Sequence, residues 1–184
     1  MGHPLETFVL STVNHHEAIV GSPASGAGAL PEAHLSWPDE SATQAFAATL
    51  AAQPALRNAF ISLQGTLGAG KTTLVRHLLT ALGVRGRIKS PTYAVVEPHE
   101  VPGLSIWHFD FYRFADPREW EDAGFRDIFA SPGLKLAEWP DQAGALLPRP
   151  DLRIAIEPAG DTAREVTLTP GSAAGLALVQ AVAP

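Results

Sequence analysis

The sequence predicts an α/β fold: a mixed, mainly parallel β-sheet flanked by helices and carrying β-hairpins. Three observations lead there. Short apolar runs at Ala59–Gln64, Leu104–Phe111 and Leu134–Trp139 read as buried strands. Segments with apolar residues at helical intervals lie between and around them. Two pairs of strand-like runs flank turn-forming stretches, PHEVPG at 98–103 and PAGDTAR at 158–164.

Taken in order, residues 1–35 read as an N-terminal extension or linker, and 36–184 as the one main domain that a chain of 184 residues accommodates. Within the extension, 5–13 and 17–20 have the pattern of short strands, and the Gly/Pro/Ser/Ala stretch at 21–31 reads as flexible chain. His3, His15 and His16 lack carboxylates at ligand spacing and read as solvated side chains. Order is expected from Leu35. Pro38, Asp39, Glu40 and Ser41 signal a helix start, and the segment to Ala52 is Ala-rich with Phe46 and Leu50 on one face.

The buried strand Ala59–Gln64 runs into a glycine-rich turn. Lys71–Leu82 then repeats apolar residues at helical intervals and stops at Gly83. Thr92–Glu97 and Leu104–Phe111 are expected as paired strands, and Pro117–Asp122 as a short helix with Pro in its first turn. Leu134–Trp139 is a further strand. Leu152–Glu157 and Glu165–Thr169 form a hairpin, and Ser172–Val182 closes the chain as a helix.

Composition narrows the function classes. With no Cys, disulfide scaffolds, zinc ribbons and cysteine nucleophiles are excluded. Thirteen basic residues against 19 acidic ones give a net charge of −6, which argues against a broad electrostatic hold on nucleic acid or an anionic membrane. No apolar run is long enough to span a bilayer. The first basic side chain is Arg57, so neither a secretory signal nor a transit peptide is expected, and the expected compartment is the cytoplasm.

The turn between Gln64 and the helix reads Gly65, Thr66, Leu67, Gly68, Ala69, Gly70, Lys71, Thr72, which fits the pattern G-x-x-x-x-G-K-[ST] at every position. Glycines let the backbone wrap with its N–H groups turned inward onto phosphate oxygens, at the positive end of the following helix. Lys71 supplies an ammonium for the β- and γ-phosphates, and the Thr72 hydroxyl is a ligand for Mg²⁺. A strand before the motif and a helix after it are the required context, and they specify a P-loop NTPase fold.

Such a loop also needs a carboxylate for the Mg²⁺ shell and a group that orients the attacking water. Asp110 ends the apolar run Leu104-Ser-Ile-Trp-His-Phe-Asp110; it is a metal-shell candidate or a plain strand-end aspartate. Glu138 ends Leu134-Lys-Leu-Ala137 and lies near the ligand edge of an α/β sheet; a hydrogen-bonded structural glutamate is the alternative. Between them, Ser90-Pro91-Thr92-Tyr93 is a hydroxyl-bearing turn where Thr92 is placed to sense a γ-phosphate or serves only the turn. Arg85, Arg87 and Lys89 precede it as phosphate-screening or partner-facing cations, or as a solvated face.

These residues, in this order, resemble the TsaE (YjeE) family: Leu67-Gly-Ala-Gly-Lys-Thr-Thr73, Lys89-Ser-Pro-Thr-Tyr93, His108-Phe-Asp-Phe-Tyr-Arg113, Asp116-Pro117 and Glu138-Trp-Pro140. The resemblance covers roughly residues 36–169. It implies an ATPase that uses Mg²⁺ and works with the TsaD and TsaB proteins in threonylcarbamoyladenosine modification of tRNA, its hydrolysis resetting that complex between turnovers. It implies that the loop residues through Thr73 bind ATP, that Lys71 and Thr72 serve phosphates and Mg²⁺, and that Asp110 belongs to the Mg²⁺ shell. Glu138 would serve the water or metal network, Thr92 the switch-like position, and Trp139 would lie close by. Thr43 matches a family threonine near the adenosine end. Thr66 departs from the family, which often carries Asp there, and residues 1–35 have no family counterpart.

Other functions fit parts of the pattern. A small-molecule kinase uses the same loop but needs an Arg-bearing lid, and no long lid-like insertion follows Arg85 and Arg87. A GTP switch is disfavoured because neither Asn14 nor Asn58 is followed by Lys. A nucleotide-sensing module with negligible turnover shares every motif. The acidity of the chain makes any contact with tRNA local or carried by partners, and no membrane partner is expected.

Overall fold

The computed structural model describes residues 30–183; the expected strands at 5–13 and 17–20 and the three early histidines lie outside them. Strand β1 (Ala33–Trp37) leads into helix α1 (Glu40–Ala51), and a 3₁₀ turn over Pro54–Asn58 precedes β2 (Phe60–Gln64) and helix α2 (Lys71–Ala81). The hairpin β3 (Val96–Val101) and β4 (Leu104–Asp110) follows, then helices α3 (Pro117–Asp122) and α4 (Phe125–Ala130). Next come β5 (Leu134–Glu138), the short helix α5 (Pro140–Ala143), the hairpin β6 (Leu152–Ala159) and β7 (Ala163–Pro170), and helix α6 (Ala173–Val182). The start of α1 is capped as its sequence suggests: the Asp39 carboxylate accepts from the Ala42 N–H. Ser172 caps α6 in the same way, accepting from Gly175.

The strands make one sheet in the order β1-β7-β6-β2-β5-β4-β3. Its centre, β6-β2-β5-β4, is parallel, and the outer pairs β1/β7, β6/β7 and β3/β4 are antiparallel. This is the mixed α/β sheet that the sequence predicts. Alternation along the strands sends two different cores to its two faces. Ile61, Leu63, Ile106, Leu136 and Ile154 face the helices, packing with Phe46 and Leu50 of α1, Leu74 and Leu78 of α2 and Leu178 of α6. The residues between them in the strands point the other way, where Phe60, Phe109 and Phe111 join Phe114, Trp120 and Phe125 in an aromatic layer. Phe109 and Phe111 stack with centroids 5.5 Å apart, and Phe125 meets Phe109 edge-on at 5.3 Å. Such pairs add about 0.5–1.5 kcal/mol each beyond their buried area.

Some boundaries differ from expectation. The strand expected from Thr92 begins at Val96, because Thr92–Val95 turn instead: Val95 N–H donates to Pro91 at 2.7 Å with φ of 64°. The stretch PHEVPG is mostly strand, and only Pro102 and Gly103 make the turn. Pro98 is tolerated because β3 is the edge of the sheet. Strand β1 starts at Ala33, ahead of Leu35, and helices α4 and α5 had no counterpart in the sequence reading. Among the described residues no helix is long and apolar enough to cross a membrane.

Candidate functional site

The loop from Gly65 to Gly70 joins the central strand β2 to α2, and its shape depends on three glycines with positive φ: Gly65 (141°), Gly68 (79°) and Gly70 (112°). Gly65 has a second constraint: a Cβ there would lie 2.3 Å from the Ile156 carbonyl oxygen of β6. Gly70 is the N-cap of α2 and offers no side-chain acceptor, so no side-chain cap takes up the amides of the first turn. They stand at the positive end of the helix, where anions bind. The loop is held from outside by Arg164 of β7, whose Nε donates to the carbonyl of the buried Ala69 at 2.7 Å.

Lys71 folds back along the loop. Its Nζ donates to the carbonyls of Gly65 (2.7 Å) and Thr66 (2.9 Å) and lies 3.9 Å from the centroid of the Trp139 ring. Burial pulls its pKa below the ordinary lysine value, and the carboxylates of Glu138 and Asp110 oppose that shift. Trp139 itself has a positive φ of 56°, uncommon for a large residue, which turns the chain sharply after β5.

The two acids come from neighbouring strands. In the parallel β4–β5 ladder Asp110 is the register partner of Glu138, and alternation puts both on the face that carries α2. Both are almost fully buried, at 3% and 2% exposure. Glu138 accepts the Thr72 hydroxyl, at 3.0 Å to Oε1 and 2.8 Å to Oε2, and Oε1 also receives His108 Nε2 at 2.9 Å. Asp110 Oδ2 accepts the hydroxyls of Ser90 and of Thr92, the latter at 2.8 Å, while Oδ1 accepts the Tyr112 N–H at 2.9 Å. Thr92–Val95 turn rather than continue β3, and in that turn the Thr92 hydroxyl reaches Asp110.

These groups line one cleft of about 350 Å³: Leu67, Gly68, Gly70, Lys71, Thr72 and Thr73 on the loop side, and Thr92, Asp110, Glu138 and Trp139 on the strand side. Gly65 and Thr66 border an adjoining groove that shares Trp139. Thr43 is not in the cleft. It is buried on α1 and faces a small separate pocket of about 80 Å³ with Ala69, Gly70, Thr73 and Arg164. Arg85, Arg87 and Lys89 are exposed and line no part of the cleft.

Four residues that the sequence reading did not assign belong to the same network: Ser90, His108, Tyr112 and Arg164. His108 was legible in principle, since it stands two residues before Asp110 on the same face of an apolar strand. Arg164 carried no signal, because its partner is 95 positions away in the chain.

Oxygen donors dominate the set. A hydroxyl (Thr72) and two carboxylates on adjacent strands suit a hard cation that keeps part of its water shell, as Mg²⁺ does beside phosphates. Among the described residues no group of three or more His, Asp or Glu side chains is placed to hold a metal by protein alone.

A phosphate-binding loop between a central parallel strand and a helix, with acids at the ends of the neighbouring strands, makes this a P-loop NTPase-type fold. Comparison with known proteins is more specific. The family described as "Threonylcarbamoyl adenosine biosynthesis protein TsaE" matches residues 37–166, and the chain belongs to that family. The tRNA threonylcarbamoyladenosine biosynthesis protein TsaE of Haemophilus influenzae is 44% identical over 108 residues, spanning 59% of this chain and 68% of that one. The protein of the same name from Bacillus subtilis is 38% identical over 109 residues, with the same coverage of 59% and 68%. The crystal structure of Bacillus subtilis YdiB superimposes with a TM-score of 0.67 at 26% identity, covering 83% of this chain and 94% of that one.

Proposed function

We propose that the protein binds ATP with Mg²⁺ in this cleft and hydrolyses it, acting with TsaD and TsaB in the threonylcarbamoyladenosine modification of tRNA in the cytoplasm. The observation that carries the reading is the convergence on one cleft of the loop, Lys71, Thr72, Asp110 and Glu138. Membership of the TsaE family supports the pathway. Residues 36–184 are the working domain in this reading, and 1–35 an extension to it.

The chain's own groups divide the work. Loop amides and the first turn of α2 cradle the phosphates, and Lys71 exchanges its loop carbonyls for phosphate oxygens, neutralising charge that grows during transfer. Thr72, Asp110 and Glu138 would hold Mg²⁺, which when bound offsets negative charge on the phosphate oxygens. Glu138, anchored by His108 and Thr72, is the acceptor that orients the attacking water. Thr92, tied to Asp110, is positioned to report on the terminal phosphate. Trp139 covers the Lys71 ammonium and excludes water from it. Thr43 lies beside the loop and not at the reacting end, in keeping with a place near the nucleoside.

The test is phosphate release from ATP and from GTP, by the protein alone and with the purified TsaB–TsaD complex, alongside Lys71→Ala. Magnesium-dependent release from ATP that Lys71→Ala abolishes is expected, strongest with the partners present. Appearance of a phosphorylated metabolite in place of inorganic phosphate would convert the reading into a kinase. Binding without release under any condition would leave a nucleotide sensor.

A further inference from the structure

We propose that His108 is a positioning residue for Glu138: a fully buried imidazole that holds one carboxylate oxygen so that the other stays directed at Thr72 and the cleft. The inference deepens the reading above and rests on it.

Strand β4 presents Leu104, Ile106, His108 and Asp110 to the helix-covered face. The first two are core residues, and a leucine at 108 would extend that stripe without any polar group to satisfy. An imidazole stands there instead, at 0% exposure. Its register partner on β5 is Leu136, which places it diagonally beside Glu138 on the same face. Nε2 meets Glu138 Oε1 at 2.9 Å. An ionised carboxylate only accepts, so Nε2 carries the hydrogen and donates it.

The other ring nitrogen, Nδ1, is buried and has no hydrogen-bond partner among the described residues. A buried polar atom without a partner is costly, so the ring is a poorer core residue than an aliphatic one of similar size. Its only polar contact among the described residues is with Glu138. A stabilising role would favour a ring bonded at both nitrogens; a ring bonded only to a cleft carboxylate is placed for the carboxylate. The consequence for Glu138 is directional. Oε1 is shared between His108 (2.9 Å) and Thr72 (3.0 Å), while Oε2 has the shorter bond to Thr72 (2.8 Å) and no second partner among the described residues. Oε2 is thus the oxygen left for water or ion.

The experiment compares His108→Leu, which keeps bulk and loses the donor, with His108→Gln, whose amide N–H₂ reaches toward the place of Nε2. In His108→Leu, kcat for ATP should fall about 10–100-fold, the range for lost outer partners of a site. Affinity for a non-hydrolysable ATP analogue should change less than about twofold, because binding depends on the loop. His108→Gln should recover most of kcat. Nitrogen-15 NMR of the wild-type imidazole should show a hydrogen on Nε2, a readout independent of turnover and of whether either variant folds. The proposal is overturned if His108→Leu keeps wild-type kcat in an assay where Lys71→Ala is inactive. It is also overturned if both variants lose activity equally and in step with their melting temperatures, or if NMR finds no hydrogen on Nε2. A wild-type protein that releases no phosphate overturns the ATPase reading, and the NMR result then decides the tautomer by itself.

Discussion

Asp110 and Glu138 stand directly opposite each other at the carboxyl ends of two parallel strands, both turned toward the start of α2. Two buried acids so close repel unless hydroxyls, imidazole or cations face them. Each has its own set: Ser90, Thr92 and the Tyr112 amide for Asp110, Thr72 and His108 for Glu138. Lys71 feels both charges.

Glu138→Gln and Asp110→Asn keep the volume and remove one charge each. Under the proposed function, phosphate release should fall about 10²–10⁴-fold, the usual contribution of a positioned acid or base. Melting temperatures should hold, since side-chain volume and strand register are kept. Phosphate assays and thermal melts on the same preparations check this; a collapsed melt would mark the acids as structural.

The loop glycines should separate by mechanism. Gly68→Ala has open space around its Cβ and suffers only from its φ of 79°, a strain of about 1–2 kcal/mol. Gly65→Ala adds a contact of 2.3 Å with the Ile156 carbonyl, so it should destabilise more and displace the loop from β6. Urea denaturation ranks the pair, and equal values would contradict the geometry.

Arg164→Ala removes the bond to the Ala69 carbonyl without altering any residue that lines the cleft. A charged hydrogen bond of this kind contributes about 1.5–3 kcal/mol. The expected result is ATP affinity weakened about tenfold, equivalent to about 1.4 kcal/mol, with the core intact. Arg164→Lys should recover only part, because an ammonium cannot reproduce the planar fork that also reaches the Ala163 carbonyl. Titration with a fluorescent nucleotide measures both.

Lys135 supplies a pH test remote from the cleft. Burial holds its pKa below the ordinary value of about 10.4, with Asp151 opposing, while its ammonium donates to the Ser131 carbonyl and lies 5.1 Å from the Trp107 ring centroid. A lowered folded pKa means that the unfolded chain binds this proton more tightly. The folded state is therefore penalised in full below the folded pKa, and the penalty disappears as pH rises to the unfolded value. Wild type should gain stability relative to Lys135→Met as pH rises toward the ordinary lysine value of about 10.4, as thermal melts at neutral pH and close to that value would reveal.

Much of this was legible in the chain. The turn from Gly65 to Gly70 could be read because its glycines, lysine and threonine act on atoms within a few residues of themselves. Asp110 and Glu138 were visible as acids that end apolar runs. Other features were not. Strand β1 alternates half-exposed residues and becomes a strand by pairing with β7, a register its own residues do not encode. The stretch from Thr92 looked like strand, but the Val95 N–H closes a turn on the Pro91 carbonyl and the Thr92 hydroxyl bonds to Asp110 across the chain. Helices α4 and α5, of six and four residues, are too short to show a period.

The sequence by itself determined the central strands, the longer helices beside them, the glycine-rich turn and the acids that end two of the strands, because helical and turn preferences and hydrophobic alternation operate over neighbouring residues. Tertiary structure alone decided that Asp110 and Glu138 are register partners, that His108 bonds to one of them, that Arg164 holds Ala69, and that Thr43 faces a separate pocket. Those relations join residues tens of positions apart. They arise only when burial of the two cores brings strands into register, which no local preference specifies.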